Sequence, residues 1–346
     1  QSIIRFMATE NFIGIMTGTS ADAIDGCIVS FENEFNLIAY DSIFHEESYK
    51  EDYEKCIAQG LKTIDQSKTL MRLENHLNTK TLELINKILS KNNLTYKDIF
   101  SIGFSGQTVF HTYEKSYQIG DPQFLAKNSK IKVISDFRNF DIQNGGMGAP
   151  LVPIFHEYLY AEENKNKIIF NIGGIANGTY LDGKRISLAS DVGPGNCLMD
   201  YISAKSFGVP YDRNGDFAKK GKLSSVLYKK LIKECSNMEY PRADDKNDYY
   251  KLIDNTLLKM SPEDALNTLA NFTVQKIKDF YDFCGEPEEI IFHGGGVKNL
   301  FLMKLLKENI KQEIRTTDNE IPSESVEAAA FAYLAYMNKG ETFDVK

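Results

Sequence analysis

Cysteine is scarce and unpaired in this sequence: Cys27, Cys56, Cys197, Cys235 and Cys284 are the only five, and none forms a C-x-x-C pair. An odd, scattered set excludes a secreted disulfide framework and a zinc ribbon, and it leads us to expect a reduced, cytoplasmic chain. No apolar run approaches the roughly 20 residues that a bilayer-spanning helix requires, so no membrane partner is expected. The opening segment before Met7 lacks the apolar core of a signal peptide, and Met7 is read as the native start. Positive charge is in deficit: 40 Lys+Arg against 48 Asp+Glu leaves a net charge of −8. That balance disfavours a partnership with nucleic acid, which needs a basic surface. The 24 glycines and 9 prolines follow no periodic tract, which excludes collagen-like and low-complexity chains. What remains is a globular balance, 42% hydrophobic and 25% charged, over 346 residues, a length that fits two domains.

Short apolar runs ending in small-residue turns organise the chain. Phe12–Met16 and Gly26–Phe31 read as strands flanking Thr17-Gly18-Thr19-Ser20-Ala21-Asp22-Ala23-Ile24-Asp25. Residues 50–92 carry helical spacing through Leu70, Leu73, Leu77, Leu82, Ile85 and Leu89. Strands are expected at Ile99–Phe104, before Ser105-Gly106-Gln107-Thr108, and at Ile131–Ser135, before Asp136-Phe137-Arg138. The second half repeats the opening: Lys167–Ile172 runs into Gly173-Gly174, and Asp182-Gly183 signals a hairpin. Helices are expected from Cys197 onward, over 223–235, over 262–283 and over Leu300–Lys307, with a last one over Ser323–Tyr336. Both halves thus begin strand, small-residue turn, strand, which suggests duplicated α/β lobes with a boundary near Pro150–Pro153.

Several of these turns are suited to anions. Gly18–Asp25 is either an ordinary polar hairpin or a turn that aims backbone N–H and hydroxyl groups at phosphate, with carboxylates beside it for Mg²⁺. It is not a Walker A loop, because the lysine of that motif is missing. Gly173-Gly174 with Asp191-Val192-Gly193-Pro194-Gly195-Asn196 is either two tight turns or a second such site with a carboxylate at a strand end. Gly294-Gly295-Gly296, before Asn299 and a helix, would let a flat ligand approach the backbone, and taken alone it is equally a plain strand–helix turn. Arg138 offers a fork for a carboxylate, and Gln107 an amide for a sugar hydroxyl. His111 reads as a satisfied turn histidine, and Glu327 already suits the first turn of a helix through the macrodipole.

Together these blocks resemble the anhydro-N-acetylmuramic acid kinase family. The resemblance rests on Gly14-Ile15-Met16-Thr17-Gly18-Thr19-Ser20 with Asp22 and Asp25, on Gly106-Gln107-Thr108 with His111, and on Gln118-Ile119-Gly120-Asp121-Pro122. It continues through Asp136-Phe137-Arg138, Gly148-Ala149-Pro150-Leu151-Val152-Pro153, Asn171–Asn177, Asp191, Gly193–Asn196 with Asp200, Gly294–Gly296 with Asn299, and Glu327-Ala328, in collinear order. It implies an α/β fold of the two-lobed actin/Hsp70/hexokinase-like (ribonuclease H-like) kind with a nucleotide cleft. The N-terminal lobe would cover 11–152, joined by the C-terminal helix 323–338, and the C-terminal lobe 153–322. It also implies an ATP- and Mg²⁺-dependent enzyme of cell-wall sugar recycling. Such an enzyme opens 1,6-anhydro-N-acetylmuramic acid with water and phosphorylates its 6-oxygen.

Under that resemblance Asp191 is the general base. Gly18, Thr19, Ser20, Ala21, Asp22, Ala23, Ile24, Asp25, Gly173 and Gly174 take the ATP phosphates, and Asp22 and Asp25 hold Mg²⁺ directly or through water. Gly294, Gly295, Gly296 and Asn299 border the adenosine, and Ser105, Gln107, Arg138 and Glu327 take the sugar. The expected partners are the amino sugar and ATP, and a homodimer is allowed. The chain departs from the family pattern at Ser105, where histidine is usual, at Val192, where threonine is usual, and in Ala21 and Ala23 of the hairpin. The usual Pro-Lys-Ser-Thr-Gly-Arg-Glu stretch is here Pro241-Arg242-Ala243-Asp244-Asp245-Lys246-Asn247. Two alternatives stay open: a kinase of the same fold for another sugar or sugar acid, and a nucleotide-dependent sugar sensor without turnover.

Overall fold

The computed structural model describes residues 10–59, 64–236 and 239–345, with backbone alone at 58–59 and 64–67; Met7 lies outside the described residues. In chain order the strands are β1 (Asn11–Thr17), β2 (Ala23–Ser30), β3 (Asn36–Phe44), β4 (Ile99–Phe104), β5 (Gln107–His111), β6 (Ser116–Ile119) and β7 (Val133–Ser135). They continue with β8 (Asn166–Ile172), β9 (Ile175–Asp182), β10 (Arg185–Pro194), β11 (Glu289–His293), β12 (Ile314–Thr316) and β13 (Glu341–Phe343). Described residues up to Phe155 and from Ser325 onward form one compact unit, and His156–Glu324 form a second.

In the first unit the sheet order is β13-β7-β4-β1-β2-β3. Strands β1, β2 and β3 run as an antiparallel meander, and β4 and β7 follow in parallel beside β1. Residues alternate between the two faces of β1, as the two-residue period of a strand requires. Ile13 and Ile15 join the core that holds Leu77, Leu84 and Ile88 of the helix Ile64–Lys91. Gly14 faces the final helix, Val326–Tyr336. That helix is apolar nearly all round and rich in alanine, so it can lie flat on the sheet. A Cβ at Gly14 would fall on the carbonyl of Ala328, and one at Gly103 of β4 on the carbonyl of Phe331.

The second unit repeats the scheme with the order β10-β9-β8-β11-β12: an antiparallel meander β8-β9-β10, then β11 and β12 parallel beside β8. The repeated opening read in the sequence is therefore a repeated sheet topology. Helix Pro262–Phe283 packs on this sheet, with Phe280 edge-on to Phe170 and Phe170 stacked on Phe292 at 5.1 Å. Its start is set by Ser261, whose side chain accepts from the Asp264 N–H, with Pro262 in the first turn. Two fully buried imidazoles meet in this unit. The Nε2 atoms of His156 and His293 lie 2.9 Å apart, and His156 Nδ1 meets the Thr179 hydroxyl at 2.9 Å. One Nε2 must donate and the other accept, so the two rings cannot both be charged. Burial holds His293 down at about 3 and lowers His156 well below the usual histidine range, with His293 adding to the shift in His156.

Some elements differ from the sequence expectation. The helical pattern over 50–92 resolves into Glu47–Gln59 and Ile64–Lys91, and the last helix begins at Val326 instead of Ser323. The strand expected at 131–135 shortens to β7. The edge strand β3, the β5–β6 hairpin and the helix Pro122–Ser129 carry too little apolar periodicity to stand out beforehand. Among the described residues no helix is long and apolar enough to cross a membrane.

Overpacking at Gly14 gives a first test: Gly14→Ala lowers stability by about 1–3 kcal/mol in urea unfolding. Gly295→Ala, where an added Cβ meets nothing within 4 Å, changes it by less than about 0.5 kcal/mol. The histidine pair gives a second. Because the folded-state values are depressed, the unfolded chain takes up the protons first as pH falls. Stability is thus intact above about pH 6.5 and declines below it, by up to about 1.4 kcal/mol per pH unit for each imidazole. Imidazole ¹⁵N shifts at pH 5 are expected to report both rings neutral in the folded chain; a charged ring at that pH contradicts the assignment.

Candidate functional site

The β1–β2 turn is built to expose its small polar residues. Antiparallel pairing brings Thr17 opposite Ile24 and Met16 opposite Asp25. The Thr17 hydroxyl donates to the Ala23 carbonyl at 3.2 Å, and the Ala21 N–H donates to the Gly18 carbonyl at 3.1 Å. Ala21 turns inward in a left-handed conformation, φ 52°, and is buried, whereas Thr19, Ser20 and Asp22 stand exposed. Asp22 pairs with Lys50 at 2.6 Å, and Asp25, half-buried on β2, accepts from the Ser42 hydroxyl at 2.6 Å.

Beneath the turn lies a polar strut. Gln107 is 0% exposed, its Nε2 donates to the Gly18 carbonyl at 3.2 Å, and its Oε1 accepts from the Tyr49 hydroxyl. Tyr49 is itself sandwiched between His45 at 4.0 Å and His76 at 4.7 Å. One N–H and one lone pair of the Gln107 amide hold the hairpin, which leaves a second of each on the same group. Ser105 Oγ accepts from the Thr17 N–H at 3.3 Å and donates to the Gly106 carbonyl at 2.7 Å. His111, read as a satisfied turn histidine, lies instead on strand β5, and its Nδ1 has no hydrogen-bond partner among the described residues.

The last helix brings Glu327 into the same unit's polar group. Arg138 Nη1 donates to the Gly148 carbonyl at 3.0 Å, tying down the loop after Gln143. Burial, and after it the charge of Asp25, pushes the Glu327 carboxyl up to about 7, against the opposing pull of the Arg138 cation. Asp25, Arg138 and Glu327 thus share one electrostatic neighbourhood, and a carboxyl near 7 is poised to take or give a proton.

In the second unit the remaining candidates gather at the strand ends of one sheet. The N–H groups of Gly195, Asn196 and Cys197 donate to the carbonyls of Gly174, Gly173 and Gly174 at 3.0, 2.8 and 3.1 Å. This closes the β10 end onto the β8–β9 turn, and a Cβ at Gly195 would strike the Gly173 carbonyl. Strand β11 pairs with β8 so that His293 lies opposite Asn171. Gly294, at φ 86°, consequently sits against Asn171 and Gly296 against Ile172, with no room for a Cβ at either. Asn299 caps the helix Leu300–Asn309, its Oδ1 accepting from the Leu302 N–H at 3.0 Å.

Asp191 lies on β10 opposite Asn177, where the pairing slips by a residue before Gly193. Bulges of this kind re-aim a side chain out of the ladder. The Asp191 N–H donates to the Arg242 carbonyl at 3.0 Å, and its Oδ2 accepts from the Asp244 N–H at 2.8 Å.

Each unit therefore offers a small-residue turn beside a carboxylate. Among the described residues no group of three or more His, Cys, Asp or Glu side chains could hold a metal alone. Asp22 and Asp25 nevertheless fit a Mg²⁺ that takes one or two carboxylates and shares the rest of its shell with phosphate and water. The sequence reading missed Tyr49, Lys50 and Asp244. The first two stand on a helix with no turn motif, and Asp244 acts through its backbone.

Two solved structures share the fold. The activator of 2-hydroxyisocaproyl-CoA dehydratase from Clostridium difficile, with bound ADPNP, aligns at TM-score 0.52 and 14% identity, over 95% of this chain and 96% of that one. Component A of (R)-2-hydroxyglutaryl-CoA dehydratase from Acidaminococcus fermentans aligns at TM-score 0.53 and 11% identity, over 96% and 99%. At these identities the likeness shows the fold alone, an α/β fold in which two units share one sheet topology. In sequence, the chain is 34% identical to the anhydro-N-acetylmuramic acid kinase of Haemophilus influenzae over 95% of its own length and 92% of the relative's. It is 34% identical to that of Pasteurella multocida, over 95% and 90%, and 33% identical to that of Photobacterium profundum, over 95% and 92%. Residues 10–340 match the family described by the same words, and the chain accordingly belongs to the anhydro-N-acetylmuramic acid kinase family.

Proposed function

We propose that this protein uses ATP and water to convert 1,6-anhydro-N-acetylmuramic acid into N-acetylmuramic acid 6-phosphate. The observation that carries the reading is the family match over residues 10–340, which spans every turn and carboxylate described above. Asp191 accepts a proton from water as that water attacks C1 of the sugar; the C1–O6 bond breaks, and O6 attacks the γ-phosphorus with ADP as leaving group. Fixing the Asp191 carboxylate by a backbone N–H suits this role, since a base must be oriented before it can act. Such a base contributes about 10²–10⁴-fold, and positioning with charge stabilisation supplies the larger share.

The exposed Thr19, Ser20 and Asp22 of the Gly18–Asp25 turn, and Gly173-Gly174, take the phosphates of ATP. Asp22 and Asp25 would hold Mg²⁺, which supplies charge neutralisation at the phosphate oxygens when bound. Lys50, now paired with Asp22, would then be released toward the same anions. Gly294–Gly296 and Asn299 border the adenosine. Ser105, Gln107, Arg138 and Glu327 serve the sugar, and Gln107 also braces the hairpin from below. Five buried, unpaired thiols and a need for ATP fit the cytoplasm.

Asp191→Asn is expected to leave the ATP dissociation constant within about threefold while turnover falls by at least about 10². Calorimetry and a coupled ADP assay measure the two, and turnover within a few-fold of the parent removes Asp191 from the role. In H₂¹⁸O the label is expected at C1 of the product, read by mass spectrometry; label in free phosphate would mean that the chain only hydrolyses ATP.

A further inference from the structure

The segment Tyr240–Asp244, which overlaps the divergent stretch Pro241–Asn247, lies along β10 at the proposed base. Hydrogen bonds fasten it there. The Asp191 N–H donates to the Arg242 carbonyl at 3.0 Å, the Arg242 N–H donates to Ser190 Oγ at 2.9 Å, and the Asp244 N–H donates to Asp191 Oδ2 at 2.8 Å. The last bond comes from backbone, so its geometry depends on what holds residue 244.

Residue 244 is held unusually firmly. Arg242 Nε reaches both of its carboxylate oxygens, at 2.9 and 3.1 Å, and the Tyr249 hydroxyl donates to Oδ2. The Arg242 and Asp244 side chains are only 13% and 11% exposed, and Tyr249 is buried. The guanidinium also lies over the Tyr240 ring, 4.9 Å from its centroid, and that ring packs edge-on against Phe280 and Phe283 of the helix Pro262–Phe283. A mostly buried ion pair is weak evidence for stability, because desolvation offsets the attraction, and its best-attested use is to fix one arrangement.

We propose that Arg242, Asp244 and Tyr249 are positioning residues for Asp191: the Arg242–Tyr249 grip on the Asp244 carboxylate fixes the peptide whose N–H orients the base. The inference rests on Asp191 being the base. Through that peptide the grip reaches the Asp191 carboxylate, which must keep one orientation through the reaction, and a misplacement of about 1 Å at such a group costs on the order of 10²-fold in rate.

The test uses the full chain and kinetics per folded molecule. Asp244→Asn removes the charge that Arg242 grips yet keeps the backbone N–H; Tyr249→Phe removes one hydroxyl and is the gentler variant should the first fold poorly. The expected result is a loss in kcat of about 10- to 100-fold for Asp244→Asn and of about 3- to 10-fold for Tyr249→Phe, with KM for ATP and for the sugar within about twofold. The same changes placed on Asp191→Asn are expected to add less than about twofold to its loss in single-turnover rate, because the group they position is already gone. A purely structural cluster would instead lower the melting temperature and leave kcat untouched, which overturns the inference. Losses that multiply in the double variants also overturn it, since the cluster would then act without Asp191. Should Asp191→Asn alone keep near-parental turnover, the base assignment itself falls, and that outcome is read from the single variant before the pairs are compared.

Discussion

The meeting of the alanine-rich helix Val326–Tyr336 with the bare backbone of β1 and β4 is the constraint on which the first unit depends. Gly14 and Gly103 are the two places where strand and helix have no side chain between them, and both would collide with helix carbonyls if they carried even a methyl group. Closeness there fixes the height of the helix above the sheet, and with it the placement of Glu327 at the helix start. The carboxyl of Glu327 then shares a field with Asp25 of β2 and with Arg138, and burial drives it toward neutrality. A packing requirement in the middle of the helix thereby sets the chemistry at its end.

The second unit solves a similar problem with turns. Gly173, Gly195, Gly294 and Gly296 lie where backbone meets backbone or a buried side chain, so the ends of β8, β10 and β11 converge closely. Asp191 stands at a slip in the β9–β10 ladder, and from outside the sheet the Tyr240–Asp244 segment accepts its N–H and donates to its carboxylate. The two sheets have the same strand order, but their carboxylates differ in setting. Burial presses Glu327 toward its neutral form, whereas the Asp191 carboxylate accepts a backbone N–H.

Much of this was legible from the residues, and the reasons for the rest are physical. Apolar runs ending in Gly, Ser and Thr marked β1, β2, β8 and β11, because a strand buried on both faces needs an unbroken run and a tight turn needs small residues. The joint order of the blocks carried the family. What stayed hidden is what acts through the backbone or across long stretches of chain. Gln107 shows a polar amide in the sequence, but only the fold reveals that it ties Tyr49 to Gly18. Asp244 looked like an added charge in a divergent loop, and its bearing on Asp191 lies in an amide hydrogen that any residue would carry. Edge strand β3 escaped because one of its faces is wet and its apolar residues are diluted by Asn36, Asp41 and Ser42.

The chain of bonds from the Gly18 carbonyl through Gln107 to the Tyr49 hydroxyl has a mechanical consequence. The peptide plane at Gly18 cannot rotate without pulling the amide beneath it, and the amide is anchored to a ring wedged between two imidazoles. Any reorientation of that plane is levered into the helix Glu47–Gln59, which carries both Tyr49 and the lysine paired with Asp22. Hairpin and helix are therefore tied together by side chains, Gln107 to Tyr49 from below and Lys50 to Asp22 at the rim.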